Sequence, residues 1–321
     1  MNFKKIILFA AMMPLIFNWA YCENSKAGTS GAVFLKIPAS SARTQALGDC
    51  GAIVEGAESM PLNPSGIASS QMREFSLSRL SWFEDYTGQY IGYVHPVGRA
   101  VMGFGFGSYG IENFDSRDIN GVPLYGEDIK VRNSFMSFTL AKAFLLERFL
   151  LGVSVKRVSE DNYSAKYDNT VFDAGAMLKL GRKLIFGWSG QNFGDQKKVV
   201  QIQRLGMSWS PNPFITILAE TKSYTDSKSK TGLGFEFNLP EEILQVGKVS
   251  LRVGYTPMDD HGENMDGGIM DRMGLTDKHG ISFGFGIYSL QSLGYGFGLD
   301  YSMVPYGALG KASQISLKMQ F

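Results

Sequence analysis

The side chains able to do chemistry are few and scattered. The 321-residue chain has three histidines, His95, His261 and His279. His95 precedes Pro96, where a short turn is expected, and His261 and His279 flank the longest polar stretch. That stretch, "MDDHGENMDGG", sets Asp259, Asp260, Glu263 and Asp266 around His261. It could attract a divalent cation but lacks EF-hand spacing, so a solvated acidic loop is the simpler reading. No Ser/His/Asp arrangement or metal-ligand spacing is evident, and neither catalytic residues nor a cofactor or metal is expected. The "GFGFG" strings have a period of two and no following helix, which argues against a nucleotide loop.

The remaining candidates are isolated charges within otherwise small or apolar runs: Lys156, Asp173, Lys179, Arg204, Glu236, Arg252 and Asp300. Their setting is set by the elements around them. From about residue 73 onward, apolar and small residues alternate. In "ISFGFGIY", Ile281, Phe283, Phe285 and Ile287 share one face and Ser282, Gly284 and Gly286 the other. "YGFGLDYSM", "LGFEFNL" and "VSLRVGY" repeat the pattern, which is that of β-strands. The alternation predicts strands near 74–83, 88–95, 100–112, 131–143, 149–158, 169–180, 184–193, 200–210, 214–223, 231–239, 248–257, 279–289, 294–304 and 312–321. Most have about the 9–11 residues that a tilted strand needs to cross a bilayer.

Connections alternate too. One set is mostly short, "HPVGR", "LLER", "GRK", "SPNP", "LPEEILQVGK" and "LQSLG"; the other contains the long polar stretches 113–130, 159–168 and 258–278 with the shorter 194–199 and 224–230. That asymmetry fits an up-and-down transmembrane β-barrel of about 14 strands. A soluble sandwich or lipocalin-like barrel would carry Lys, Glu and Thr on its outer face. Here the face opposite the aromatics is rich in Gly and Ser, a poor solvent surface but a suitable barrel interior. The seven charges then point into the lumen, where they either pair with one another and with the segment before the barrel, or form a substrate-selecting ring. Pairing is favoured because buried charges need partners.

Composition agrees: 44% hydrophobic, 13% aromatic, 19% charged and a net charge of +1. Nothing basic points to nucleic acid. Residues 1–22 read as a signal peptide, with Lys4 and Lys5, an apolar run from Ile6 to Phe17 and Ala20-Tyr21-Cys22 before Glu23. A lipidated Cys22 is the alternative, which the bulk of Tyr21 disfavours. Cleavage after Cys22 would leave Cys50 without a disulfide partner. No other apolar run approaches the ~20 residues of a spanning helix. The chain ends "ISLKMQF", a strand whose apolar face would meet lipid.

Residues 23–73 break the alternation. They contain "FLKIPASSARTQALGDCGAIVEGAESMPLNPSGIA", with a short helix expected over Ala42–Gly48 and a turn at Asn63, Pro64, Ser65 and Gly66. Pro64 should push Asn63 into an extended conformation. This stretch resembles the N-terminal signature of the PorV/PorQ-like outer-membrane proteins, which are similar to FadL-type transporters of long-chain fatty acids. The resemblance rests on the "FLKI" start, the glycines around Gly48 and Gly51 and the Asn-Pro-small-Gly turn. It departs where many members have Met-Gly-Gly, here Leu47-Gly48-Asp49-Cys50-Gly51, and where many have Trp, here Leu62. An acidic stretch usual between these points is reduced to Glu55 and Glu58.

The resemblance implies a fourteen-stranded barrel at 74–321 in the bacterial outer membrane, with 23–73 as a hatch in the lumen. It implies Phe321 as an assembly signal read by the barrel assembly machinery. Outer-membrane lipid and a hydrophobic small-molecule ligand would be the partners. The leading function is uptake of hydrophobic molecules such as long-chain fatty acids. The alternative is a PorV-like component of a type IX secretion system that binds secreted proteins. A fixed plug without transport is the plainest reading of 23–73.

Overall fold

The computed structural model describes residues 28–82, 85–114, 120–122, 129–162, 165–181, 183–239, 247–257, 280–290, 295–306 and 309–321. The expected signal peptide with Cys22, and the loop bearing Asp259, Asp260, His261, Glu263, Asp266 and His279, lie outside these residues.

Fourteen strands close into one antiparallel barrel. In chain order they are β1 (Glu74–Ser81), β2 (Thr87–Val97), β3 (Ala100–Phe114), β4 (Ile129–Phe144), β5 (Phe149–Asn162), β6 (Lys166–Leu180) and β7 (Leu184–Phe193). They continue as β8 (Ile202–Asn212), β9 (Ile215–Tyr224), β10 (Lys230–Leu239), β11 (Lys248–Tyr255), β12 (Ile281–Leu290), β13 (Gly296–Pro305) and β14 (Lys311–Gln320). Each pairs with its sequence neighbours, and β1 pairs with β14, Leu77 opposite Leu317. Closure leaves no edge with unpaired backbone groups, the condition for a sheet to stand in hydrocarbon. Arg73 and Phe321 extend the seam by one step, each N–H donating to the other's carbonyl at 3.1 and 3.0 Å.

Period-2 alternation turns large apolar side chains outward. Leu77, Ile91, Phe104, Val153, Phe235, Leu251 and Ile315 are all exposed. The inward positions carry Gly, Ser and the isolated charges, and are mostly buried. Among the described residues no helix is long and apolar enough to cross a membrane.

Two expectations are corrected. His95 does not sit in a turn: β2 runs through Pro96 to Val97, Gly98 and Arg99 make the turn, and His95 accepts or donates a bond with Tyr93 at 3.1 Å. Residues 159–168 are mostly strand, since β5 and β6 continue to Asn162 and Lys166. Alternation fails there because polar residues occupy both faces, Ser159, Asp161 and Asp168 on one and Glu160 and Asn162 on the other, while the backbone ladder persists. A bulge interrupts β7, where Asn192 adopts φ 61° and the register against β6 shifts between Phe172 and Ala174.

The N-terminal segment crosses the interior of this barrel. A one-turn helix, Ala42–Ala46, begins at Ser41, whose hydroxyl accepts from the Thr44 N–H at 3.2 Å. At Asn63 the chain is extended (φ −153°), as Pro64 requires, and a 3₁₀ helix follows over Pro64–Ser69, longer than the turn expected. The segment touches inward glycines on strands around the ring. A Cβ at Gly152 would strike the Pro64 carbonyl, one at Gly175 the Asn63 side chain and one at Gly187 the Ala52 carbonyl. On the far side, Cβ atoms at Gly232 and Gly254 would strike the backbone of Gly48.

Candidate functional site: the divided lumen

Among the described residues, two sizeable interior cavities lie on opposite sides of the N-terminal segment. One, of about 560 Å³, lies toward the longer connections, beside Trp82, Tyr224, Thr256 and Tyr306 near the strand ends. Ile37, Pro38 and Val304 add apolar surface, and Asp49 lies there among Lys36, Lys222, Lys228 and Lys230, with Lys222 paired to Asp49 at 2.7 Å and Lys36 to Asp226 at 2.6 Å. The Trp82 and Tyr306 rings stack at 5.0 Å, tilted by 51°. The other, of about 480 Å³, lies toward the short turns and is lined by Arg43, Glu58, Glu236, Arg252, Asp300 and Lys318 among others. One chamber is thus largely apolar and aromatic with paired charges at its border, and the other is ionic.

The charges are organised in paired groups that join the segment to the wall. Arg204 on β8 lies 2.8 Å from Glu220 on β9 and 3.4 Å from Asp49 of the segment. Lys222 on β9 reaches Asp49 at 2.7 Å. Glu220 also accepts from the Ala52 N–H at 2.6 Å. Burial pushes the Asp49 carboxyl up, but Arg204 and Lys222 outweigh it and leave it below its usual range. A second group lies on the strands that follow, nearer the short turns. Glu236 on β10 bridges Arg252 on β11 and Arg43 of the segment, both at 2.8 Å, and Arg252 reaches Asp300 on β13 at 2.5 Å. Glu58 of the segment takes Lys318 on β14 at 3.1 Å. Burial raises the Glu58 carboxyl, and Lys318 and Arg43 together bring it below its usual range.

Each charge singled out in the sequence therefore points inward and has a partner. Lys156 and Asp173 pair at 2.7 Å on adjacent strands, with Lys156 also donating to Asn192 at the bulge at 3.0 Å. Lys179 pairs with Glu55. The geometry brings Arg204 together with Asp49 and Glu220, and Glu236 together with Arg252 and Asp300; Lys156–Asp173 and Lys179 stand apart from both groups. Glu220 and Lys222 were missed by sequence reasoning. The signal was present, since both share the inward face of β9 with Leu218 while Ile215 and Ile217 alternate with them.

The turn at Asn63 is the segment's tightest point. Asn63 is fully buried. Its amide oxygen accepts from the Ser65 N–H at 3.1 Å and hydroxyl at 2.7 Å, and its amide nitrogen donates to the Ala52 carbonyl at 2.5 Å. Ser189 on β7 donates to the Leu62 carbonyl at 2.7 Å. Cys50 is a free thiol packed with Leu47, Ile53 and Leu218, and burial raises its pKa. Among the described residues no group of three or more His, Cys, Asp or Glu is arranged to hold a metal ion.

No known family profile matches the chain, and no curated protein matches it in sequence. Solved structures do match in fold. The toluene transporter TbuX of Ralstonia pickettii superposes with a TM-score of 0.54 at 12% identity, covering 91% of this chain and 98% of its own. A deltaS2 mutant of TodX, a monoaromatic hydrocarbon channel, gives 0.58 at 11% identity, covering 88% and 98%. The P. putida toluene transporter TodX gives 0.53 at 10% identity, covering 86% and 95%. At such identities the likeness is one of architecture: the chain has the fourteen-stranded barrel fold of these FadL-like channels.

Proposed function

We propose that the protein is a bacterial outer-membrane channel for hydrophobic small molecules such as long-chain fatty acids, with residues 23–73 as its hatch. The observation that carries this reading is the aromatic chamber on the long-connection side, separated by the N-terminal segment from an ionic one. Trp82, Tyr306, Ile37 and Val304 offer a surface on which apolar molecules displace water. The outward apolar wall suits a membrane, and the architecture shared with hydrocarbon channels supports the same class of cargo. In this reading ligand gathers in the aromatic chamber, and passage onward requires the hatch to shift. Phe321, held at the seam by Arg73, would present the assembly signal.

The test is native mass spectrometry of the protein purified in mild detergent, beside Val304→Trp, which narrows the chamber, and Asn63→Ala, which loosens the hatch turn. Apolar compounds retained by the parent and lost in Val304→Trp support the channel. An empty chamber that takes up neither a fatty acid nor toluene overturns it. A co-purifying secreted protein in place of small ligands would favour the secretion role.

A further inference from the structure

The outward face of β2–β6 changes character along sharply defined rows. One cross-strand row reads Tyr93, Phe104, Phe138, Val155 and Phe172. The next, toward the long connections, reads Ile91, Phe106, Met136, Arg157 and Thr170. The one beyond it is polar throughout: Gln89, Ser108, Ser134, Ser159 and Asp168. Arg157 is thus a cation set in the last apolar row, at the border where hydrocarbon gives way to headgroups.

Beneath it the wall is not smooth. Phe104, Phe106, Met136, Phe138 and Val155 line an outward trough of about 420 Å³, and Arg157 and Thr170 close one end. Phe104 and Phe138 meet at 5.1 Å as one bank, and Met136 is 65% exposed. Arg157 is 71% exposed, and Asp168 lies a distant 3.5 Å away and is also exposed. A guanidinium has five donors in a fork that matches phosphate, so this contact leaves donors available. An apolar trough headed by an arginine has the chemistry of an acyl chain below an anionic headgroup.

We infer that this trough is a docking site for a phosphate-bearing membrane lipid of the leaflet on the long-connection side, its acyl chain along Phe104, Met136 and Val155 and its phosphate on Arg157. The inference rests on the membrane location proposed above, but not on any cargo. The alternation predicted a lipid-facing wall; the position of Arg157 within it picks out one place where a lipid is selected by headgroup.

The experiment uses the purified full chain in non-ionic detergent, titrated with dimyristoyl phosphatidylglycerol or with dimyristoyl glycerol, which has the same chains and no phosphate. Adducts are counted by native mass spectrometry, and the folded barrel is verified by its heat-modifiable gel mobility. Arg157→Gln should lower the phosphatidylglycerol adduct about tenfold, the scale of a lost charge-assisted contact, and leave the glycerol lipid unchanged. Met136→Trp, which narrows the trough, should lower both. Arg79→Gln, an outward arginine on β1, should lower neither. Equal retention of phosphatidylglycerol by the parent and Arg157→Gln, or an equal loss in Arg79→Gln, overturns the inference. Failure of the protein to fractionate with outer membranes would overturn the proposed location instead, whatever the adducts show.

Discussion

Arg204, opposite Lys222 in the β8–β9 ladder, reaches diagonally to Glu220 at 2.8 Å, and both side chains are almost wholly removed from solvent. The same guanidinium extends to Asp49 of the N-terminal segment. An ion pair within the wall thus doubles as an anchor for the segment crossing the lumen. Removing a charge from a buried pair leaves the other uncompensated. Arg204→Met should therefore destabilise the protein by about 3–5 kcal/mol. Arg204→Met with Glu220→Leu should recover much of that loss. Unfolding in urea, followed by gel mobility, checks both.

Acid should loosen the segment. The Asp49 and Glu58 carboxyls sit below their usual range when folded. A depressed folded pKa gives stability that is fully present above the unfolded value, about 4 for such groups, and lost as pH falls through the folded value. Conductance across a planar bilayer should be low and constant from neutral pH down to about 4, then rise below it. In Asp49→Asn the segment should already be loose at neutral pH, and conductance there should exceed that of the parent.

Gly175→Ala should disturb the segment without preventing barrel formation. Its Cβ would overlap the Asn63 side chain, in a wall position with no room behind it. Overpacking of this kind costs about 1–3 kcal/mol. Gly298→Ala is the control, since its nearest neighbours lie 3.4–4.0 Å away, ordinary contact distances. Raised conductance in Gly175→Ala alone, with heat-modifiable mobility kept in both, is the expected result.

Asn63→Ala removes the acceptor of two Ser65 bonds and the donor to Ala52. Buried polar groups left unpaired cost about 1–3 kcal/mol, so backbone amides near residues 52–66 should lose hydrogen-exchange protection by about tenfold or more. Protection in the barrel strands should be unchanged.

The wall was legible because a two-sided environment writes itself into sequence with period 2. Every strand from β1 to β14 lies within a few residues of its predicted span. Legibility ended where the two faces became alike, at Ser159–Asp168, where both are polar and the ladder alone carries the strands. It ended at His95 because a proline at a strand's end mimics a turn. The charges were readable as inward-facing, but their partners were not. Asp49, Arg43 and Glu58 come from a segment with no periodic pattern, and only closure of the barrel brings them to Lys222, Glu236 and Lys318.

The inward glycines at 152, 175, 187, 232 and 254 have a meaning beyond contact. They make the wall a mould of one particular backbone, shaped to the carbonyls and turns of residues 46–65. Plug and barrel are therefore not interchangeable modules. A chimera that kept this barrel and borrowed the N-terminal segment of another barrel protein would meet gaps where its chain turns elsewhere and collisions where its side chains are larger. The two parts can diverge only in step, and a graft would succeed only if the glycine positions were transferred with it.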